Sequence, residues 1–172
     1  MKALPVAALL GFLMLTACST LQTSVDFDRS VDFTKYRTYK WDNPSPPENA
    51  IVMRRFVTIV DGRLAVKGLS KADRADLLVA IRTHRADETV YRTDVDRGWG
   101  YGRGWWAGNV VYEYPQQIPV GTLVLDLIDG TSNELIWRGV ARRILDPMAS
   151  PDEKDRNAEE TVARLFEDFP PK

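Results

Sequence analysis

Apolar and polar positions alternate first over Val25-Asp26-Phe27-Asp28, which reads as a strand with one buried face. Tyr36 to Trp41 is rich in Tyr, Thr and Trp, residue types that fit a pleated surface, and predicts a second strand. Asp32 to Lys35 lies between them as a turn or short bend, and Pro44, Pro46 and Pro47 then break the chain. The pattern next changes to a helical period. Val52, Phe56, Ile59, Val60 and Leu64 recur at spacings of three and four, and Ser45-Pro46-Pro47-Glu48 fits a capping box with Pro at the first helical position. A helix is expected to about Lys67, with Gly68 as its stop. Gly62 inside it opposes helix formation.

Leu77 to Ile81 is a continuous apolar run and predicts a central strand covered on both faces. A weaker strand follows over Thr89–Val95. Thr122–Ile128 and Leu135–Leu145 are strong strands joined by Asp129-Gly130-Thr131-Ser132-Asn133 as a hairpin loop. Ser150-Pro151-Asp152-Glu153 repeats the capping-box pattern, and Ala158, Val162, Leu165, Phe166 and Phe169 mark the buried face of a last helix. Pro170 and Pro171 end it. The order β-β-α-β-(β)-β-β-α predicts an α+β two-layer sandwich. Its single mixed or mostly antiparallel sheet has five to six strands, with two helices packed on one face.

The N-terminus follows another rule. Met1 and Lys2 precede fifteen uncharged residues, Ala3 to Ala17. Fifteen helical residues span roughly 23 Å at about 1.5 Å each, short of the hydrocarbon core, so the segment reads as a secretory signal and not as a membrane span. It ends in Leu15-Thr16-Ala17-Cys18, which resembles the bacterial lipobox. That resemblance implies cleavage before Cys18, diacylglycerol on the Cys18 thiol, and acylation of the new amino group. Multiple acyl chains suffice for lasting attachment. Ser19 resembles an outer-membrane sorting signal, with the inner membrane as the alternative. The expected organisation is signal peptide 1–17, lipidated Cys and tether 18–24, and one domain over 25–172.

Composition narrows the chemistry. The chain has 172 residues, one Cys, one His and a formal net charge of −1. No disulfide framework, cysteine-rich zinc site or basic nucleic-acid footprint is possible on these numbers. With Cys18 used as an anchor, His84 has no visible nucleophile or orienting acid. It is expected at a strand end. Asp126 and Arg138 interrupt partner strands and are expected to pair across the hairpin. Asp126 and Asp129 lack the oxygen-ligand spacing of a calcium loop. Asp26, Asp28 and Asp32 read as a solvated face or turn. No catalytic set, cofactor or metal is expected, apart from covalent acyl chains on Cys18.

The one unusual segment is Arg97–Gly108, which holds five of the eleven Gly and three of the five Trp. Arg97, Trp99, Tyr101, Arg103, Trp105 and Trp106 suit either a membrane-interface loop or a platform for stacking sugar rings, with the arginines meeting phosphate or carboxylate. A loop whose aromatics fold back on the sheet is the third reading. Gly102-x-Gly104-x-x-Ala107 loosely fits a dinucleotide fingerprint but lacks the strand before it and the helix after it.

These landmarks together resemble a family of bacterial lipoproteins, the DUF4136 family. The resemblance is carried by Val25-Asp26-Phe27-Asp28, Asp32-Phe33-x-x-Tyr36-x-Thr38-Tyr39-x-Trp41, and Ala75-Asp76-Leu77-Leu78-Val79 after Lys67-Gly68. Gly121-Thr122-Leu123-x-Leu125-Asp126-x-x-Asp129, Leu135-Ile136-Trp137-Arg138-Gly139-x-Ala141, Leu165-Phe166 and Phe169-Pro170-Pro171 continue it. It implies a single anchored periplasmic domain and transfers no catalytic residue. The expected role is a non-enzymatic binding or structural module at the periplasmic face of the outer membrane, with an envelope protein or glycan as partner. The alternative is a glycan or small-ligand binder using residues 97–108.

Overall fold

The computed structural model describes residues 21–42, 50–96 and 110–171. Strand β1 (Leu21–Phe27) is followed by a 3-10 turn (Phe33–Lys35), β2 (Thr38–Trp41), helix α1 (Ala50–Val66) and β3 (Ser70–Lys71). Then come β4 (Leu77–Asp96), β5 (Val110–Asp129), β6 (Leu135–Ile144) and helix α2 (Pro151–Leu165). The sheet order is β1-β6-β5-β4-β2-β3. β2 runs parallel to β3 and β4, and every other pair is antiparallel. The mixed sheet of six strands with two helices agrees with the expected α+β sandwich of five to six strands.

Alternation builds the core. Leu77, Val79 and Ile81 on β4, and Leu123, Leu125 and Leu127 on β5, face the helices and are buried. Val60 and Leu64 of α1 and Val162 and Leu165 of α2 join the same cluster. Both helices therefore lie on one face. Trp137 stacks on Phe166 at 5.6 Å between ring centroids, and Phe169 meets both rings edge-on. Phe169 also reaches Phe33 at 6.0 Å, so the chain's last aromatic ties α2 to the 3-10 turn. Gly139 lies under the Trp137 ring: a Cβ there would stand 2.6 Å from it.

The helix ends follow their sequence signals. Ser150 accepts from the Glu153 N–H while the Glu153 carboxylate accepts from the Ser150 N–H, closing the capping box on α2. Gly68 has φ of 86°, and the Leu69 and Gly68 N–H groups donate to the carbonyls of Leu64 and Ala65. That is a Schellman end, which requires a left-handed residue. The box expected at Ser45–Glu48 lies outside the described residues.

Four expectations are corrected. Leu21–Ser24 is not tether: it belongs to β1, paired from Leu21↔Arg143 onward. The Leu77–Ile81 strand is not covered on both faces, since the helices form one layer and Leu78 and Ala80 on the other face stay partly exposed. Thr89–Val95 is no separate strand but the continuation of β4, with unbroken register to Asp96↔Val110. His84 consequently stands mid-strand and exposed, opposite Thr122.

Candidate functional site

The sheet face away from the helices is where the sequence puts charge among apolar neighbours. Register places Ala80, Asp126, Arg138 and Asp26 in one row across β4, β5, β6 and β1. Asp126 is 3% exposed, although among the described residues no helix covers this face. Arg138 donates to it twice, from Nε to Oδ1 at 2.6 Å and from Nη2 to Oδ2 at 2.8 Å. Arg82 donates to Oδ2 at 2.5 Å from the diagonal position. The expected Asp126–Arg138 pair is present, and the carboxylate holds the Arg138 guanidinium more firmly protonated than usual. Arg82 was not foreseeable without the register. Leu78, Val124, Ile128 and Val140 surround the triad, all partly exposed.

Asp129 serves elsewhere. It accepts from the Tyr36 hydroxyl at 2.7 Å and from the N–H groups of Thr131 and Ser132. The Tyr36 bond first, then those N–H groups, lower its pKa to about 2. Burial and the same carboxylate push the Tyr36 hydroxyl up. Asp126 and Asp129 thus use their oxygens on separate partners. Among the described residues no group of three or more His, Cys, Asp or Glu could hold a metal ion. Asp61 likewise accepts from Tyr39, Trp41 and Lys71, tying α1 to β2 and β3. Asp28 and Asp32 close local turns onto Ser30 and Thr34. A shallow groove between α1 and α2 is lined by Ile51, Arg54, Thr58 and Glu159, with the Arg55–Asp155 ion pair across it.

The second feature is a ribbon. β6 leaves β5 at Val120↔Ile144, but β4 and β5 continue together for ten more pairs, Asp87↔Pro119 to Asp96↔Val110. At about 3.3 Å per residue this two-stranded arm is roughly 33 Å long. Val90, Tyr91 and Tyr114 are exposed on it. The arm leaves the body past the row that contains Leu21, Arg143, Gly121 and Arg85.

Cys18, Ser19, Arg97, Trp99, Tyr101, Arg103, Trp105 and Trp106 lie outside the described residues. What is placed is their flanks: Leu21 at the start of β1, and Asp96 and Val110 at the end of the arm. Among the described residues no helix is long and apolar enough to cross a membrane.

The DUF4136 model, a domain of unknown function, matches residues 23–171, and the chain belongs to that family. No curated protein matches the chain. Among solved structures, a PDZ domain protein from Parabacteroides distasonis ATCC 8503 is similar at 16% identity and a TM-score of 0.56. The match covers 90% of this chain and 36% of that one, so this chain spans about a third of it. The PelC dodecamer from Paraburkholderia phytofirmans is similar at 12% identity and a TM-score of 0.51, covering 85% of this chain and 94% of that one. A point variant of that PelC dodecamer gives 14%, 0.50, 84% and 95%. At these identities the likeness concerns the fold alone.

Proposed function

We propose that the protein is a lipid-anchored envelope lipoprotein, held through Cys18 at the periplasmic face of the outer membrane, and that it works as a non-enzymatic binding module. The observation that carries this reading is the Leu15-Thr16-Ala17-Cys18 sequence directly behind an apolar fifteen-residue segment, only three residues before β1 begins. Three residues reach at most about 11 Å, so an anchored Cys18 keeps the body against the headgroups. The binding part of the reading is supported by a sheet face that no helix among the described residues covers. The carboxylates of Asp61, Asp126 and Asp129 are engaged in ties between elements, which suits holding a shape better than moving protons.

The position of the arm favours a membrane-surface role for the Gly/Trp-rich segment over a glycan platform. The arm that carries its flanks leaves the body at the same end as Leu21. The arm cannot cross hydrocarbon as a two-stranded ribbon, because only a helix or a closed barrel satisfies the backbone there. It can lie along the surface, where Trp and Tyr are favoured. Cys18→Ala is the test. The variant is expected in the soluble periplasmic fraction with an unchanged circular dichroism melt; retention in the outer-membrane fraction overturns anchoring.

A further inference from the structure

We propose that the two-stranded arm of one protomer docks on the open sheet face of a second copy of this chain, building a head-to-tail assembly. Two strands without further neighbours are marginal in water and need a cover. The arm exposes Val90 and Tyr91, and beyond its root no other described strand pairs with either edge. Its register with the body is unbroken, so it continues the sheet and cannot fold back onto its own face.

Charge selects the occupant. Asp87–Asp96 and Val110–Pro119 carry five acidic residues (Asp87, Glu88, Asp94, Asp96 and Glu113) against Arg92 alone. Two arms laid side by side would bring like charges together, which excludes a symmetric arm-to-arm pair. The open face has the opposite balance: Lys40, Arg82, Arg138 and Arg142 stand there against Asp26 and Asp126. Half-buried Leu78, Val124, Ile128 and Val140 lie between these cations and offer an apolar seat for Tyr91, which shares its face of the arm with Asp87 and Glu113. The Arg142–Glu88 ion pair already shows the two chemistries meeting inside one chain at the root of the arm. An arm meeting a face is a heterologous contact, which continues until a ring closes or a filament grows.

The experiment is sedimentation of the chain from Ser19 onward, which keeps every core residue from Phe33 to Phe169. It needs no lipid, so its outcome is separate from that of the anchoring test. The wild type is expected to assemble with rising concentration at low salt. It should dissociate near 1 M salt, where screening acts within about 3 Å. An arm variant (Asp87→Lys with Glu113→Lys) and a face variant (Lys40→Glu with Arg142→Glu) should each associate at least about tenfold more weakly. Mixed one to one, they should assemble again in alternation, because each arm then meets a face of opposite charge. Tyr91→Ser, which leaves charge unchanged, should weaken assembly in the same direction. Circular dichroism melts matching the wild type establish that the variants fold. A wild type that stays monomeric at all concentrations overturns the proposal. So does an assembly that both charge variants leave intact, or a mixture that does not pair.

Discussion

The same two strands, β4 and β5, run through two different environments. From Leu77 to Ala86 they sit inside the sheet, with β6 alongside and the helices on one face. From Asp87 to Asp96 they keep the same register, but beyond the root, where Leu145 and Arg142 still reach Pro119 and Glu88, no other described strand pairs with them. In the first stretch Val79 and Leu125 are fully buried; in the second Tyr91 is 70% exposed. Backbone pairing is common to both, so pairing does not set the difference. What the body has and the arm lacks is apolar area removed from water, the main favourable contribution to folding. The body is a folding unit, and the arm is an extension that the body holds in register.

The largest test removes burial on one side only. Trp137 is 1% exposed and packs against Phe166 and Phe169. Trp137→Ala should cost about 3–5 kcal/mol, enough to unfold much of a marginally stable domain. Tyr91→Ala on the arm should stay within about 0.5 kcal/mol in the dilute monomer. Urea unfolding of both variants checks this, and equal losses would show that the arm shares the core's cooperativity.

A smaller effect comes from the end of the body opposite the arm, where Asp129 ties the β5–β6 turn to Tyr36. Its carboxyl titrates near 2 in the folded chain against an ordinary 3.8. The folded pKa is the lower one, so the unfolded chain takes up the proton first as pH falls. The stabilisation is complete above about pH 4 and is lost on the way down to pH 2. Thermal melts across that window should fall for the wild type. They should fall less for Asp129→Asn, which starts lower at neutral pH. Arm hydrogen exchange relative to the body should be unaffected, because the link sits at the other end of the strands.

The body was legible in the sequence for the reason that it folds. Alternation at Leu123, Leu125 and Leu127, the Ser150–Glu153 box and Gly68 are local signals, and each had its expected consequence. The arm was hidden because an extended ribbon exposed on both faces has no apolar period to read. Thr89–Val95 accordingly looked like a separate weak strand. The Arg82–Asp126 contact was hidden because register is a relation between distant segments. Asp126 and Arg138 stand out as charges inside apolar strands, whereas Arg82 looks like the edge of a run. For residues 21–24 the error lay in treating polar Gln22, Thr23 and Ser24 as tether. An edge strand exposed on its outer side tolerates such residues as long as its partner, here β6, supplies the hydrogen bonds.

The smallest prediction isolates backbone entropy from burial. Gly62 lies inside α1, exposed, and a Cβ added there would meet nothing within 4 Å. The glycine therefore fills no packing role, and its cost is the conformational freedom it gives up in the helix. Gly62→Ala should stabilise the domain by about 0.5–1 kcal/mol, the difference between Ala and Gly in a helix interior. Hydrogen exchange gives the sharper reading. Amides of β5 and β6 in the body open only when the whole unit unfolds, and they should slow severalfold. Amides of Asp87 to Thr93 on the arm open locally and should keep their rates. If the arm amides slow by the same factor, arm and body unfold together, and the division between them is one of shape alone.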